Sequence, residues 1–137
     1  MSREADLLVN IDVPDLAAGV AFYTEALGLA RGRSWDGLAE LTGRAVPIFL
    51  IEKQAGTSIG PDGGDTRRYS RHWCPIHPDF AVDDLDAAIM RVEQAGAVRE
   101  GDVMDLPYGR QAMFADPFGN GFCLIQFNKD GYDALRD

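Results

Sequence analysis

Apolar and polar positions follow two alternating periods along the chain, and the order of those periods occurs twice. Residues 7–13 are rich in Leu, Val and Ile, the composition of a strand. Pro14-Asp15 then opens a helix, with Asp15 placed to accept the free N–H groups of the first turn. Leu16, Val20, Tyr23 and Leu27 fall on one helical face, and Gly28 is the predicted stop. Strands are predicted over residues 30–34 and 38–42, with a stronger one over 46–52. The second half repeats this grammar: Asp79-Phe80-Ala81-Val82, Asp84 as cap, Leu85, Ile89 and Val92 as the stripe, Gly96 as stop. Strands are then predicted over 98–103, 110–115 and 121–127. Asp116-Pro117-Phe118-Gly119-Asn120 makes the turn before the last of them.

Asp15 and Asp84 stand 69 residues apart, half of the 137-residue chain. Repetition at that period means two copies of one supersecondary unit, each reading strand, helix, three strands. The predicted fold is α+β: two βαβββ modules in tandem, over about 5–54 and 75–127, forming a single domain. Residues 55–74, rich in Gly, Ser and Asp, are expected to be a flexible linker, with Arg67, Arg68 and Arg71 as its solvated, positively charged edge. The tail, 128–137, carries Tyr132 and Leu135 for docking on the domain or on a partner. The copies differ at one telling place. Leu8 in the first corresponds to His77 in the second.

Composition narrows the function. With 22 acidic and 13 basic residues the net charge is −9, which repels phosphate backbones and anionic lipid, so neither nucleic acid nor membrane is expected as a partner. The longest apolar run is far too short to span a bilayer. Two cysteines make no disulfide framework, and with no basic, apolar leader at the N-terminus the expected location is the cytoplasm. No phosphate loop, dinucleotide fingerprint or Ser–His–Asp order is present.

Val13-Pro14-Asp15-Leu16, Ala21-Phe22-Tyr23, Leu27-Gly28-Leu29, Val82-Asp83-Asp84-Leu85 and Asp116-Pro117-Phe118-Gly119-Asn120-Gly121-Phe122 stand in order at matching spacing. The chain thereby resembles the vicinal oxygen chelate superfamily, which includes glyoxalase I, bleomycin-resistance proteins and extradiol dioxygenases. The resemblance implies a mixed sheet curled around an open cup that holds the ligand, and frequent homodimers. It also implies four metal ligands, one on the first and one on the last strand of each module. Carried over by aligning Phe49-Leu50-Ile51-Glu52 with Phe122-Cys123-Leu124-Ile125, those positions are Leu8, Leu50, His77 and Cys123. Two of the four are aliphatic and coordinate nothing.

Strand alternation then lines the cup with Leu8, Asn10 and Asp12, with Leu50 and Glu52, with His77 and Asp79, and with Cys123. Trp35, Phe49, Trp73, Tyr108 and Phe122 are available as an aromatic lining, although core packing is the commoner use of such residues. Glu40 and Glu52 would be general bases only if desolvated. His72, Cys74 and His77 do not close around one ion if they lie on a strand, where His77 takes the opposite face. Two readings follow. The favoured one is a small organic molecule bound in the cup without a metal, for sequestration or resistance, and without catalysis. The alternative is a metal-dependent lyase, isomerase or dioxygenase in which Glu52, His77 and Cys123 hold zinc, nickel, iron or manganese.

Overall fold

In a computed structural model, which describes residues 4–136, the chain divides into two compact units that meet between Ser70 and Arg71. In the first unit β1 (Val9–Val13) leads into α1 (Leu16–Leu27), followed by β2 (Ala30–Trp35), β3 (Leu38–Thr42) and β4 (Ile48–Glu52). The sheet order is β1-β4-β3-β2. β1 and β4 are parallel and the other pairs antiparallel. Asp15 caps α1 by accepting from the Ala18 N–H at 3.0 Å, and Gly28 ends the helix in the left-handed conformation, φ 66°. Phe22 and Ala26 join Val20, Tyr23 and Leu27 on the buried face, while Leu16 is only half-buried. β4 begins two residues later than predicted, beyond Pro47.

Which side chains meet the helix is decided by strand register. Ile11 pairs with Leu50 and Ala39 with Leu50, so these three share a face. A Cβ on Gly19 of α1 would lie 3.1 Å from both Val13 methyls and 3.2 Å from Leu50 Cδ1. The helix is therefore pressed onto this side of the sheet, and a glycine makes the approach possible. Glu52, two residues on, takes the same side. Its Oε2 accepts the Leu16 N–H at 2.9 Å, satisfying one of the free donors at the start of α1.

The second unit has β5 (Asp79–Ala81), α2 (Leu85–Gln94), β6 (Val98–Arg99), β7 (Met104–Leu106), β8 (Gly109–Ala115) and β9 (Gly121–Phe127). β5 and β9 are parallel, with Phe80 opposite Leu124, and α2 buries Leu85, Ile89 and Val92. Asp84 caps α2 through the Ala87 N–H, and Gln126 Oε1 accepts the Leu85 N–H at 2.8 Å, the same job Glu52 does in the first unit. The edge strand expected over 98–103 is interrupted: β6 and β7 both pair with β8, separated by a turn at Gly101, φ 88°. Buried Asp116 organises the predicted turn, its Oδ1 accepting from the N–H groups of Phe118 and Asn120. A 3-10 helix, Gly131–Leu135, ends the chain, with the Tyr132 ring 4.8 Å from Tyr108 and 5.0 Å from Phe127.

The stretch read as a flexible linker is hydrogen-bonded. Gly56 donates to the Arg67 carbonyl and Arg67 to that of Thr57, closing a loop. For two of its three arginines the solvated-edge reading is corrected, while Arg68 is exposed. Arg67 Nε donates to Asp12 Oδ2 at 2.7 Å, and Arg71 pairs with Glu100. A guanidinium finds bidentate and backbone partners that glycine-rich composition does not reveal. No helix among the described residues is long and apolar enough to cross a membrane.

The capping role of Glu52 has a measurable consequence. Glu52→Ala should lower stability to urea by about 0.5–1 kcal/mol, whereas Glu52→Gln should retain most of it, as Gln126 does for α2. An unchanged unfolding midpoint in Glu52→Ala would refute the role.

Candidate functional site

The helix-free face of the second sheet carries the chain's densest chemistry. Asp79 pairs with Cys123, and Cys123 with Met113, so these three side chains stand on one face opposite Phe80, Phe122 and Leu124. Residues 71–78 run into β5 as irregular chain rather than strand, and the Cys123 N–H donates to the Pro78 carbonyl at 3.0 Å. This corrects the strand premise used to separate His72, Cys74 and His77. Cys74 and His77 line one pocket together, together with Trp73, Met113, Cys123 and Arg71. The pocket is open-mouthed, with a cavity volume of about 80 Å³. Trp73 stands at its mouth, 80% exposed.

His77 Nε2 lies 3.4 Å from Asp79 Oδ1. With Cys123 Sγ, these ligand atoms all fall within 4.8 Å of one another, and they are the cluster of this kind among the described residues. The Cys123 thiol is pushed above its ordinary value, first by burial, with the neighbouring Asp79 carboxylate acting in the same direction and a hydrogen bond from Gln111 opposing. A proton on sulfur is thus favoured unless a cation replaces it. Imidazole, carboxylate and thiolate make a set that zinc accepts with a fourth position open, so the residues fit a borderline-soft divalent ion.

The site residues expected from sequence separate into two groups. His77, Asp79 and Cys123 are brought together. Leu50 and Glu52 are not on the expected face: Leu50 is fully buried beneath α1, and Glu52 holds the start of that helix. The expectation that they line the cup is corrected, and so is the ligand set Glu52, His77 and Cys123. The cause is a one-residue slip, which exchanges the two faces of a strand. Leu124 and Gln126 do in β9 what Leu50 and Glu52 do in β4, so the counterpart of Cys123 is Phe49. In the first unit, therefore, Leu8, Asn10 and Phe49 occupy the places of His77, Asp79 and Cys123. Asn10 is exposed, Leu8 is 36% exposed, and Asp12 is held by Arg67.

Neither glutamate proposed as a general base is available. Glu40 accepts from the Arg33 side chain and backbone, which holds its carboxyl down to about 2. Trp35 lies under the Arg33 guanidinium, Phe49 is buried in the first unit, Tyr108 packs against Tyr132 of the tail, and the Phe122 ring packs on Phe80 and Phe114, so of the five candidate aromatics Trp73 is the one whose ring is available to the pocket. Sequence reasoning missed Met113, Arg71 and Glu100 as pocket residues. Met113 could have been found from its pairing with Cys123 once β8 and β9 were placed in register.

A family model described as a glyoxalase-like domain matches residues 8–125. The anthracycline biosynthesis protein DauV of Streptomyces sp. (strain C5) is 34% identical over 133 residues. The match takes in 91% of this chain but 46% of that protein, so the chain spans about half the length of this relative. The fosfomycin resistance protein FosX of Listeria monocytogenes, complexed with Mn(II) and sulfate, superposes with a TM-score of 0.72 at 15% identity, over 99% of this chain and 100% of the other. A glyoxylase/bleomycin resistance protein/dioxygenase domain from Frankia sp. EAN1pec gives 0.65 at 24% identity, over 98% and 100%.

The state of Cys123 is open to direct titration. In chelator-treated Cys74→Ser protein, thiolate absorbance should rise with a midpoint above that of a free thiol. The folded state holds this proton more tightly than the unfolded one. Its contribution to stability is therefore complete below the unfolded pKa and fades as pH rises through the folded pKa. A midpoint at or below the free-thiol value would contradict the burial argument.

Proposed function

Because the chain belongs to the glyoxalase-like domain family of the vicinal oxygen chelate superfamily, we propose that it binds a small, partly apolar organic molecule in the pocket of its second unit, without a metal and without turning it over. The observation that carries this reading is the pocket itself: Trp73 and Met113 offer apolar and aromatic surface, while His77 and Asp79 supply a few polar groups for orientation. That is the usual makeup of a small-molecule site. Two further observations support it. The first unit puts Leu8, Asn10 and Phe49 where the second has its donors, and Glu40 and Glu52 are both engaged elsewhere. The relative DauV is named for anthracycline biosynthesis, and anthracyclines are planar fused-ring quinones, so a planar aromatic ligand is the class to test. Sequestration or resistance is the role that such binding would serve. A cytoplasmic setting is supported by two unbonded thiols, and a homodimer by the family resemblance alone.

The second reading is favoured by one observation, the N, O and S donors of His77, Asp79 and Cys123. These residues would hold the ion. A bound divalent ion supplies Lewis acidity toward a substrate oxygen. Among the chain's own groups, Trp73 and Met113 would position an apolar substrate beside these donors. A lyase, isomerase or dioxygenase would result.

One titration separates the two. In a Trp35→Phe background, a hydroxyanthraquinone probe should quench Trp73 emission in chelator-treated protein. Trp73→Ala, followed by probe absorbance, should weaken binding by about tenfold. His77→Ala should weaken it by only a few fold. Loss of all binding on chelation, restored by zinc or manganese and absent in His77→Ala, would establish the metal-dependent reading instead. Elemental analysis of the same samples gives an independent answer: near-stoichiometric retained metal would overturn the metal-free reading.

A further inference from the structure

Residues 71–78 have neither helical nor strand structure, yet Trp73, Cys74 and His77 from this stretch form a wall of the pocket over Cys123. A wall without regular structure needs anchors. At its far end the Pro78 carbonyl accepts the Cys123 N–H. At its near end stands Arg71, whose Nε and Nη2 donate to Glu100 Oε2 and Oε1 at 2.8 and 3.0 Å, while Nη1 donates to the His72 carbonyl. All three guanidinium nitrogens are engaged, so Arg71 holds chain instead of offering itself to a ligand. Glu100 occupies the gap between β6 and β7, where its N–H donates to the Met113 carbonyl at 2.8 Å, so the sheet itself fixes the acceptor.

Gly121, the first residue of β9, completes the arrangement. A Cβ there would lie 2.7 Å from Arg71 Nη2 and 3.1 Å from Cζ. Its φ is outside the left-handed region, so the backbone has no need of glycine. The space does. The guanidinium lies against the bare Cα of the strand that carries Cys123.

We propose that Arg71 is a positioning residue which, held by Glu100 and seated on Gly121, pins residues 71–78 as a strap that sets access to the pocket and to Cys123. This deepens the binding reading above and rests on it for the ligand. The strap itself is a property of the free protein. The pair is partly exposed, 34% and 32%, so added salt loosens it and opens the pocket.

Access is read by the rate at which a thiol reagent modifies Cys123, with sites resolved by peptide mass. Exposed Cys74 serves as the internal fast reference. Wild-type Cys123 reacts slowly. Arg71→Ala and Gly121→Ala each raise its rate by more than about tenfold while the protein remains folded by circular dichroism. The double variant is no faster than Arg71→Ala alone, because without the guanidinium the added methyl meets nothing. If Arg71→Ala does not fold, Arg71→Lys, which keeps the charge but loses the fork, takes its place in the cycle. A Cys123 rate within about twofold of wild type in the folded Arg71 variant, or multiplicative effects in the double variant, would overturn the strap. No ligand enters the assay. Its failure leaves the binding reading standing, and failure of the probe titration leaves the strap standing.

Discussion

The parallel pairing of the first and last strands in each unit is the constraint on which everything else rests. Parallel neighbours cannot be joined by a tight turn, so the chain must leave β1 or β5, cross, and return. The crossing begins with a helix, and that helix covers one face of the sheet. Ile11 opposite Leu50, and Phe80 opposite Leu124, then assign every residue of both strands to the helix side or the open side. The last strand also reaches back to the helix it lies beside. Glu52 and Gln126 each accept the first free N–H of their helix, so register, helix position and capping lock together. A slip of one residue would bury a carboxylate-bearing face and expose a core.

On this shared frame the two units differ most in chemistry on the open face. The helix side is conservative in chemistry: Ile11 and Leu50 in one, Phe80 and Leu124 in the other, all buried. The open side places Leu8, Asn10 and Phe49 in the first unit against His77, Asp79 and Cys123 in the second. A residue under a helix must fill a fixed volume, whereas Leu8 and Asn10, like His77 and Asp79, are exposed and free to change in chemistry. The chain's many carboxylates are not a reservoir of bases either. Glu40 neutralises Arg33, Glu52 caps α1, Glu100 holds Arg71 and Asp116 organises a turn. Asp79 stands instead beside a histidine and a thiol.

Much of this was legible in the residues. The Asp-cap of both helices, most of the apolar stripe, and the Gly28 stop of α1 stand where the pattern put them, with Gly96 one residue past the Ala95 cap of α2, because each depends on contacts within a few residues. Alignment of the last strands went astray because Phe-x-x-x recurs by chance. The better signal is Leu50-Ile51-Glu52 against Leu124-Ile125-Gln126, in which an acid and its amide fill one capping role. That match puts Cys123 opposite Phe49 and removes Leu50 and Glu52 from the cup. The pairs Arg67–Asp12 and Arg71–Glu100 span 55 and 29 residues, and no local period announces contacts of that range.

One residue nevertheless carried a readable sign. A glycine inside a strand loses packing and backbone entropy, so its presence marks a bulge or a close approach. Gly121 makes no bulge: it pairs in register with Ala115, and its φ is ordinary. A close approach is what remains, and the guanidinium of Arg71 is the group that makes it. Arginine suits the position because its flat fork presents two donors to Glu100 in the plane that lies against the strand, which a lysine ammonium does not. The pocket wall thus depends on an absence, one missing methyl at the edge of β9, as much as on any side chain that lines it.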